Sequence, residues 1–458
     1  MEEKQLQKRY GLVTAIAMVV GIVIGSGVFF KAEKILVATG GDLPTGILAW
    51  FLGGLIMVVC AYVFATMATK YEKVNGIVDY AEVAMGSKYG YFVGWFMATI
   101  YYPTLTGVLS WVSARYTCVL LGLNVSGPGC MILAAFFLIS SYTINTLSPK
   151  LAGIIQVSTT IIKIIPLVLM AIFGVVIGLK NGILIDNFTS GVIADVKGNP
   201  LFTAVVASAF AYEGWIVATS INAELKDAKR NLPLALTFGT IFVVIMYILY
   251  YVGLAGAVEN RIMMNGGEAG AKLAFSNVFT NIGGVLMFVF VVVSCIGTLN
   301  GVMLGCTRGF YSLAARKEGP RPEVFGTIDS HTNMPANSSV LGLFFCILWL
   351  VYFYGANISS VRWFGAFSFD SSELPIVTIY TMYIPIFVMF MIREKSFGIF
   401  KRIIMPGLGV CACVFMLVAA CYAHGIAVAY YLIIFAVIMA IGVIINKKKT
   451  PLNSKNRN

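Results

Sequence analysis

The chain has 458 residues, of which 59% are hydrophobic and only 11% are charged. A soluble protein carries about 25% charged residues, so this composition excludes an ordinary soluble globular protein. The formal net charge is +12. Because the lysines and arginines lie at the ends of apolar segments, the excess favours contact with anionic membrane lipids over nucleic acid binding.

Twelve apolar segments are long enough to cross a bilayer as helices. The predicted spans are residues 11–38, 45–70, 89–122, 128–147, 151–178, 202–225, 234–258, 280–310, 339–356, 362–392, 403–422 and 425–446. Placing the amino terminus in the cytoplasm assigns 23 of the 32 lysines and arginines to the inner side and eight to the outer side. The positive-inside rule therefore predicts a multi-pass cell-membrane protein with both termini in the cytoplasm.

No hydrophilic stretch is long enough to form a second folded domain, so we expect one transmembrane domain over residues 1–458. The polar, basic tail KKKTPLNSKNRN is expected to be disordered. Nine cysteines are present, but without a CxxC or Cys/His spacing they indicate neither a metal site nor a disulfide framework.

The first span carries glycines and a serine at its middle, in the sequence GIVIGSG. Unwinding the helix at Gly25-Ser26-Gly27 would expose the backbone N–H groups that begin its second half. Those amides and the positive end of the helix dipole suit a carboxylate. For the Gly-Ser-Gly run alone, close helix packing is an equally good interpretation.

The sixth span carries SAFAYEGW at its middle, over residues 208–215. A break near Phe210-Ala211 would expose carbonyl groups that suit an ammonium. The two breaks lie five spans apart, and matched breaks are typical of transporters built from inverted repeats. We therefore predict repeats at about 11–178 and 202–392, followed by two extra helices at about 403–446, with one helix end for each charge of an α-amino acid.

Several stretches carry a family resemblance: GIVIGSGVFF (21–30), FAYEGW (210–215), NAELKDAKRNLPLAL (222–236), GTLNG (297–301) and TRGFYSLAARKEGPRP (307–322). Together they resemble the amino acid–polyamine–organocation superfamily, and within it the L-type amino acid transporters and their bacterial exchangers. The resemblance implies an all-helical, five-plus-five inverted-repeat fold shared with sodium-coupled amino acid transporters. It also implies alternating access around helices 1 and 6, both broken at mid-membrane.

The same resemblance implies roles for the residues at the two breaks. The Gly-Ser-Gly run would bind the substrate carboxylate, and Phe210 and Ala211 would offer carbonyls to the amine. The ring of Phe210 would also close over the substrate as an aromatic gate. The candidate substrate-binding residues are Ile24, Gly25, Ser26, Gly27, Phe210, Ala211, Tyr212 and Glu213.

Lys163 is an ionisable residue at mid-membrane, where charge is costly and usually functional. In sodium-independent branches of the resembled family, a lysine of helix 5 looks like a substitute for the sodium ion that bridges helices 1 and 8. Lys163 would then bind carbonyls near Gly21 and Ile22, with Ser294 or Thr298 as a hydroxyl partner. The alternative is a lysine that only satisfies buried carbonyls and holds helices together.

Three of the carboxylates in the predicted spans are candidates for the site. Glu213 lies where helix 6 re-forms, so a helix cap and a substrate or proton role are equally good interpretations. Asp370 and Glu373 are three residues apart in the tenth span and would share one helix face. Two carboxylates on a buried face tend to retain a proton, and this pair would contact Lys163 or Arg362, or carry a proton.

Three further polar residues are candidates for the site. Tyr247 corresponds to a family tyrosine of helix 7 near the carboxylate-binding loop, although an ordinary core tyrosine is slightly favoured. Thr298 and Asn300, on the eighth span, also fit hydrogen bonding between helices.

The leading prediction is sodium-independent, obligatory exchange of small neutral L-amino acids. The alternatives are proton-coupled uptake, with Asp370, Glu373 or Glu213 as the titrating group, and transport of a cationic amino acid or polyamine whose positive charge would face Glu213 or Asp370.

An enzyme is disfavoured because only two histidines are present and no HExxH or GxSxG motif occurs. A channel is disfavoured because no filter-like repeat is present. We expect no cofactor and no obligatory partner subunit.

Overall fold

The computed structural model describes residues 8, 10–71, 76–125, 127–196 and 198–447, and this part of the chain is predominantly helical. Within it, twelve helical segments are long and apolar enough to cross a membrane. The predicted all-helical class and the number of spans are thus confirmed. The tail from residue 448 lies outside the described residues, as do eight of the lysines and arginines used to predict the orientation: Lys4, Arg9, Lys73, Lys197, Lys448, Lys449, Lys455 and Arg457.

The α-helices follow one another along the chain with short connections. They are α1 (Leu12–Val23), α2 (Ser26–Ala38), α3 (Leu43–Ala68), α4 (Gly76–Met85), α5 (Ser87–Phe96), α6 (Tyr102–Leu121), α7 (Pro128–Leu147), α8 (Pro149–Leu169), α9 (Val175–Asn181), α10 (Ile183–Thr189), α11 (Pro200–Ala211), α12 (Ala228–Ala257), α13 (Asn260–Gly266), α14 (Glu268–Ala314), α15 (Pro322–Phe325), α16 (Ala336–Phe353), α17 (Leu374–Arg393), α18 (Met405–His424) and α19 (Ala427–Lys447). Four π-helical segments join or extend them, at Met97–Tyr101, Met170–Gly174, Tyr354–Ile358 and Phe400–Ile404, and 3₁₀-helices occupy Trp215–Glu224 and Gly365–Phe367.

The tenth span is shorter than the sequence predicts. Instead of a helix from residue 362, the chain forms turns and a short 3₁₀ segment, and α17 begins at Leu374. Pro375 has no amide hydrogen and fits only in the first turn of a helix, and Gly365 has a φ of +54°. Aromatic side chains raised the hydropathy of 361–369 without supplying a helix.

The eighth span belongs to a longer, divided helix. Within α14, Phe279 and Thr280 have non-helical backbone angles. The part after this kink begins where the sequence predicts the eighth span.

Burial places the first, third and sixth spans at the centre of the bundle. In the most apolar stretch of the third span 94% of the residues are buried, against 17% in the twelfth. The central helices therefore pack on protein on all sides, whereas the twelfth span, outside the predicted repeats, presents most of its surface outward.

The third span is locally underwound into the π-helix Met97–Tyr101 just before Pro103. A proline inside a helical segment has no N–H to donate to a carbonyl in the preceding turn. In that turn Trp349 Nε1 donates to the carbonyl of Thr99 at 2.8 Å. Such π-helical turns are frequent at functional sites, and this one ends in Tyr101, which reaches the site described below.

Candidate functional site

The first span is broken between Val23, where α1 ends, and Ser26, where α2 begins. A side chain is excluded at Gly25, because a Cβ there would lie 1.7 Å from Thr298 Oγ1. No side chain caps the amino terminus of α2, and its first turn contains no acidic residue. The helix end is therefore a set of amide donors with a positive dipole and no side-chain cap.

The sixth span is broken between Ala211, the last residue of α11, and Trp215, the first residue of the 3₁₀-helix. The break thus lies just after the predicted Phe210-Ala211 position. Gly214 adopts a left-handed φ of +99°, and a Cβ on it would lie 2.6 Å from Ile22 Cγ2. The two breaks therefore pack directly against each other.

A small cavity lies between the two breaks. Five candidates from the sequence contribute to its lining: Ser26, Gly27, Phe210, Glu213 and Thr298. The remaining lining residues are Ile22, Val23, Leu105, Leu109, Gly214 and Val302. The side chains in the lining are buried, so the cavity is closed at both ends.

Sequence reasoning missed the apolar wall formed by Leu105 and Leu109 of α6 and Val302 of α14. These are ordinary apolar residues in long apolar helices. Nothing in their spacing separates a cavity-facing leucine from one that packs on a neighbouring helix, so the wall becomes visible only in the folded bundle.

Ser26 is the polar side chain at the head of α2. It is completely buried, and its Oγ makes no hydrogen bond within the described protein. Buried hydroxyl groups are normally satisfied. Together with the uncapped amides of α2, this hydroxyl gives the cavity an end rich in donors.

Tyr247 joins the carboxyl ends of the two broken helices. Its hydroxyl lies 2.5 Å from the carbonyl oxygen of Val23 and 3.1 Å from that of Ala211, as donor to either. Ala211 and Tyr212 are not among the lining residues. The Tyr212 hydroxyl instead donates to the carbonyl of Trp50 at 2.9 Å.

Lys163 is fully buried at the back of the first break. Its ammonium donates to the carbonyl of Gly21 and, at 3.1 Å, to Thr298 Oγ1. The Thr298 hydroxyl also lies 3.4 Å from the Ile24 carbonyl. Lys163 thus connects the end of α1 to α14. Gly21 and Thr298 are two of the four partners that the sequence analysis names.

Asn300 lies away from the cavity lining, in the contact between α14 and the helices of the fourth and fifth spans. It accepts a hydrogen bond from Asn145 Nδ2 at 2.8 Å and donates to the carbonyl of Ala152 at 3.3 Å. This geometry is that of polar contact between helices.

Glu213 lines the cavity, and its Oε1 accepts a hydrogen bond from the Tyr101 hydroxyl. The residue at the head of the following 3₁₀-helix is Gly214, and no side chain caps that helix. The Gly214 backbone N–H also faces the Glu213 carboxylate, so the helix-end contact and the substrate or proton role of Glu213 both stay predictions.

The acidic pair predicted on one face of the tenth span is arranged differently. Asp370 and Glu373 precede α17, and Asp370 accepts hydrogen bonds from the backbone and hydroxyl of Ser372. Glu373 pairs with Lys31, at 2.5 Å, and not with Lys163 or Arg362. The prediction failed because the helix that would have aligned the two carboxylates begins only after them.

Comparison with known proteins agrees with this architecture. The model of the amino acid permease family matches residues 10–445. The chain is 29% identical to the serine/threonine exchanger SteT of Bacillus subtilis, over 87% of this chain and 86% of that protein. It is 27% identical to the human b(0,+)-type amino acid transporter 1, over 78% and 72% of the two chains. To the human large neutral amino acids transporter small subunit 2 it is 27% identical, over 70% and 60%.

These proteins are transporters, as the predicted resemblance requires, and none of them is an enzyme. The match covers nearly every described helix, including both broken spans. The chain belongs to the amino acid permease family and is a multi-pass membrane transporter.

Proposed function

We propose that the protein carries small neutral L-amino acids across the cell membrane by obligatory exchange, without sodium. The observation that carries the proposal is the closed cavity between two broken helices. Backbone groups of both breaks and the buried Ser26 hydroxyl meet at this cavity, as a binding site for a small zwitterion requires, and the helices must move apart to admit the substrate.

The carboxylate end of the substrate belongs at α2. There the uncapped amides and the unpaired Ser26 hydroxyl supply donors, and the helix dipole favours negative charge. Gly27 brings this helix end close to α11, because a Cβ on it would lie 2.5 Å from Ala211 Cα. A small molecule can therefore reach both helix ends at once.

The amine end belongs at the carboxyl terminus of α11, where the dipole is negative. Each carbonyl oxygen has two lone pairs. The Ala211 carbonyl, which faces the Tyr247 hydroxyl, therefore keeps capacity for an ammonium. The apolar wall of Leu105, Leu109 and Val302 favours a short, uncharged side chain.

Independence from sodium is proposed on the position of Lys163. Its ammonium binds a carbonyl of the broken first span and a hydroxyl of the eighth. A fixed positive charge between these helices supplies what a bound sodium ion would supply, and repels a second cation. Exchange is supported by the similarity to SteT, a serine/threonine exchanger.

We propose that the protein works without a partner subunit, with both termini in the cytoplasm. The family resemblance implies that animal relatives join a partner subunit through an external cysteine. The cysteines nearest the corresponding loop, between the third and fourth spans, are Cys118 and Cys130, and both are buried. A disulfide to another chain needs an accessible sulfur, so their burial supports the proposal.

Glu213 supports a second candidate function. It is a carboxylate in the cavity wall, so it is placed to face a cationic side chain or to carry a proton. Asp370 gives less support to this alternative, because its carboxylate already accepts a hydrogen bond from Ser372 and it lies outside the cavity lining.

Competition for uptake separates the two candidates. Purified protein in liposomes would take up labelled serine in the presence of excess unlabelled alanine, lysine or putrescine. The proposal predicts inhibition by alanine alone. Inhibition by lysine or putrescine that is lost in Glu213→Gln would establish the cationic alternative.

A further inference from the structure

A buried charge cluster lies on the far side of the Phe210 ring from the cavity. Lys31 Nζ lies 2.5 Å from Glu373 Oε1, and His424 Nε2 lies 3.1 Å from Glu373 Oε2. The exposed fractions of the three side chains are 4%, 11% and 15%. Asp370 is the other charged group near His424. The candidate binding site uses none of these three residues.

The three residues come from three different spans but share one end of the bundle. Lys31 is in the second half of the first span, Glu373 immediately precedes the tenth, and His424 ends the eleventh. Odd-numbered and even-numbered spans run in opposite directions, so these positions coincide whatever the orientation in the membrane. With the amino terminus in the cytoplasm, this end is the outer one.

Lys31 connects the cluster to the roof of the cavity. Its ammonium lies 5.2 Å from the centre of the Phe210 ring and 5.4 Å from that of Phe30. The two rings meet edge to face at 6.0 Å, and Phe210 lines the cavity below. A cation over an aromatic face is attracted to the ring, so Lys31 holds Phe210 in its closed position.

We propose that Lys31, Glu373 and His424 form the latch of the outer gate, and that the eleventh span takes part in gating through His424. The proposal rests on the proposed function, because it assigns a role within alternating access. A solute can leave the cavity past Phe210 only if α2 and α11 separate. That movement pulls Lys31 away from a carboxylate anchored on the tenth and eleventh spans.

A latch of this kind changes the fractions of transporters that are open outward and inward, and leaves the binding site itself unchanged. Removing it raises the fraction of transporters that are open outward, and apparent affinity at one face scales with the fraction competent to bind there. A variant without the latch is therefore expected to bind substrate more tightly at the outer face of the membrane and more weakly at the inner face. A variant that is only poorly folded lowers transport from both faces alike.

The test compares serine transport by wild type, Glu373→Gln and His424→Gln in right-side-out and inside-out vesicles. Glutamine keeps an oxygen for Lys31 and removes the charge. The matched control is Lys34→Met, because Lys34 lies on the same helix with a side chain that is 52% exposed. For Glu373→Gln we expect the outer KM to fall about tenfold and the inner KM to rise, with a smaller shift of the same sign for His424→Gln.

Equal changes at both faces, or none, would overturn the latch while leaving the proposed function intact. If wild type does not transport, the proposed function fails, and amide hydrogen exchange of the purified protein decides on the latch separately. Glu373→Gln is expected to speed exchange in α2 and α11 but not in α8, and Lys34→Met in none of them. Unchanged exchange in α2 and α11 would contradict the latch.

Discussion

At the scale of single residues, the site combines one buried cation with one unpaired hydroxyl. Lys163 has two partners on two helices, whereas Ser26 Oγ has none. Removal of the two side chains is therefore expected to have different effects on the protein. Loss of Lys163 costs structure and transport together, and loss of Ser26 costs only binding.

Lys163→Met is expected to reduce exchange roughly 10- to 150-fold, because one charge-assisted hydrogen bond contributes about 1.5–3 kcal/mol. The matched control is Lys150→Met, an exposed lysine on the same helix, α8. Initial rates in sodium-free liposomes measure the effect. Wild-type exchange by Lys163→Met would remove the lysine from the proposed mechanism.

Ser26→Ala is expected to raise the KM for serine roughly two- to twelvefold, because one net hydrogen bond contributes about 0.5–1.5 kcal/mol. The melting temperature should not fall, since the hydroxyl has no partner in the protein to lose. Ser339→Ala is the control, a buried serine whose hydroxyl already donates to its own helix, to the Pro335 carbonyl. An unchanged KM for Ser26→Ala would show that the substrate carboxylate binds elsewhere.

At the scale of elements, the two helix breaks depend on glycine at contacts too close for a side chain. Gly214 combines a left-handed backbone with contact to Ile22. Gly182 has a similar φ of +80°, but no neighbouring atom lies within 4 Å of the position that a Cβ would take, so this glycine isolates backbone strain from crowding. Left-handed strain alone costs about 1–2 kcal/mol for a residue with a side chain.

Gly214→Ala is therefore expected to lower the melting temperature more than Gly182→Ala and to abolish most exchange, because the methyl group pushes the two breaks apart. Thermal unfolding in detergent and uptake in liposomes measure the two effects. Equal melting temperatures with full exchange in both variants would mean that the breaks tolerate separation.

The elements were predictable where composition decides them. Twenty-residue apolar runs and the two glycine-containing breaks are visible in the sequence because lipid leaves a spanning segment few alternatives to a helix. The tenth span was misjudged because hydropathy counts the aromatic residues around Phe364 and Phe367 as membrane helix. The left-handed Gly365 interrupts this stretch, and the helix begins only at Leu374, with Pro375 in its first turn.

At the scale of the whole molecule, ion pairs close the bundle at both ends. The cluster of Lys31 lies at one end. At the other, Arg308 Nε lies 2.8 Å from Glu224 Oε1, and the backbone N–H of Tyr10 donates to the Glu224 carbonyl at 3.0 Å. The cavity between them is shut from both sides, the arrangement expected midway through alternating access.

These long-range pairings could not be predicted from the sequence. The hydrogen-bonded partners of Lys163 followed from a resemblance, but the partner of Glu373 is 342 residues away at Lys31 and no local pattern links them. The apolar wall of the cavity is likewise a property of the folded bundle. The inverted repeat itself stays a prediction.

The most direct test of the proposed function is uptake of labelled serine into sodium-free liposomes that contain either buffer or unlabelled serine, with and without an inward proton gradient. We expect uptake only into vesicles loaded with serine, unchanged by added sodium or by the gradient. Accumulation in empty vesicles driven by protons or by sodium would contradict obligatory, sodium-independent exchange, and in the proton case would make Glu213, in the cavity wall, the first residue to substitute.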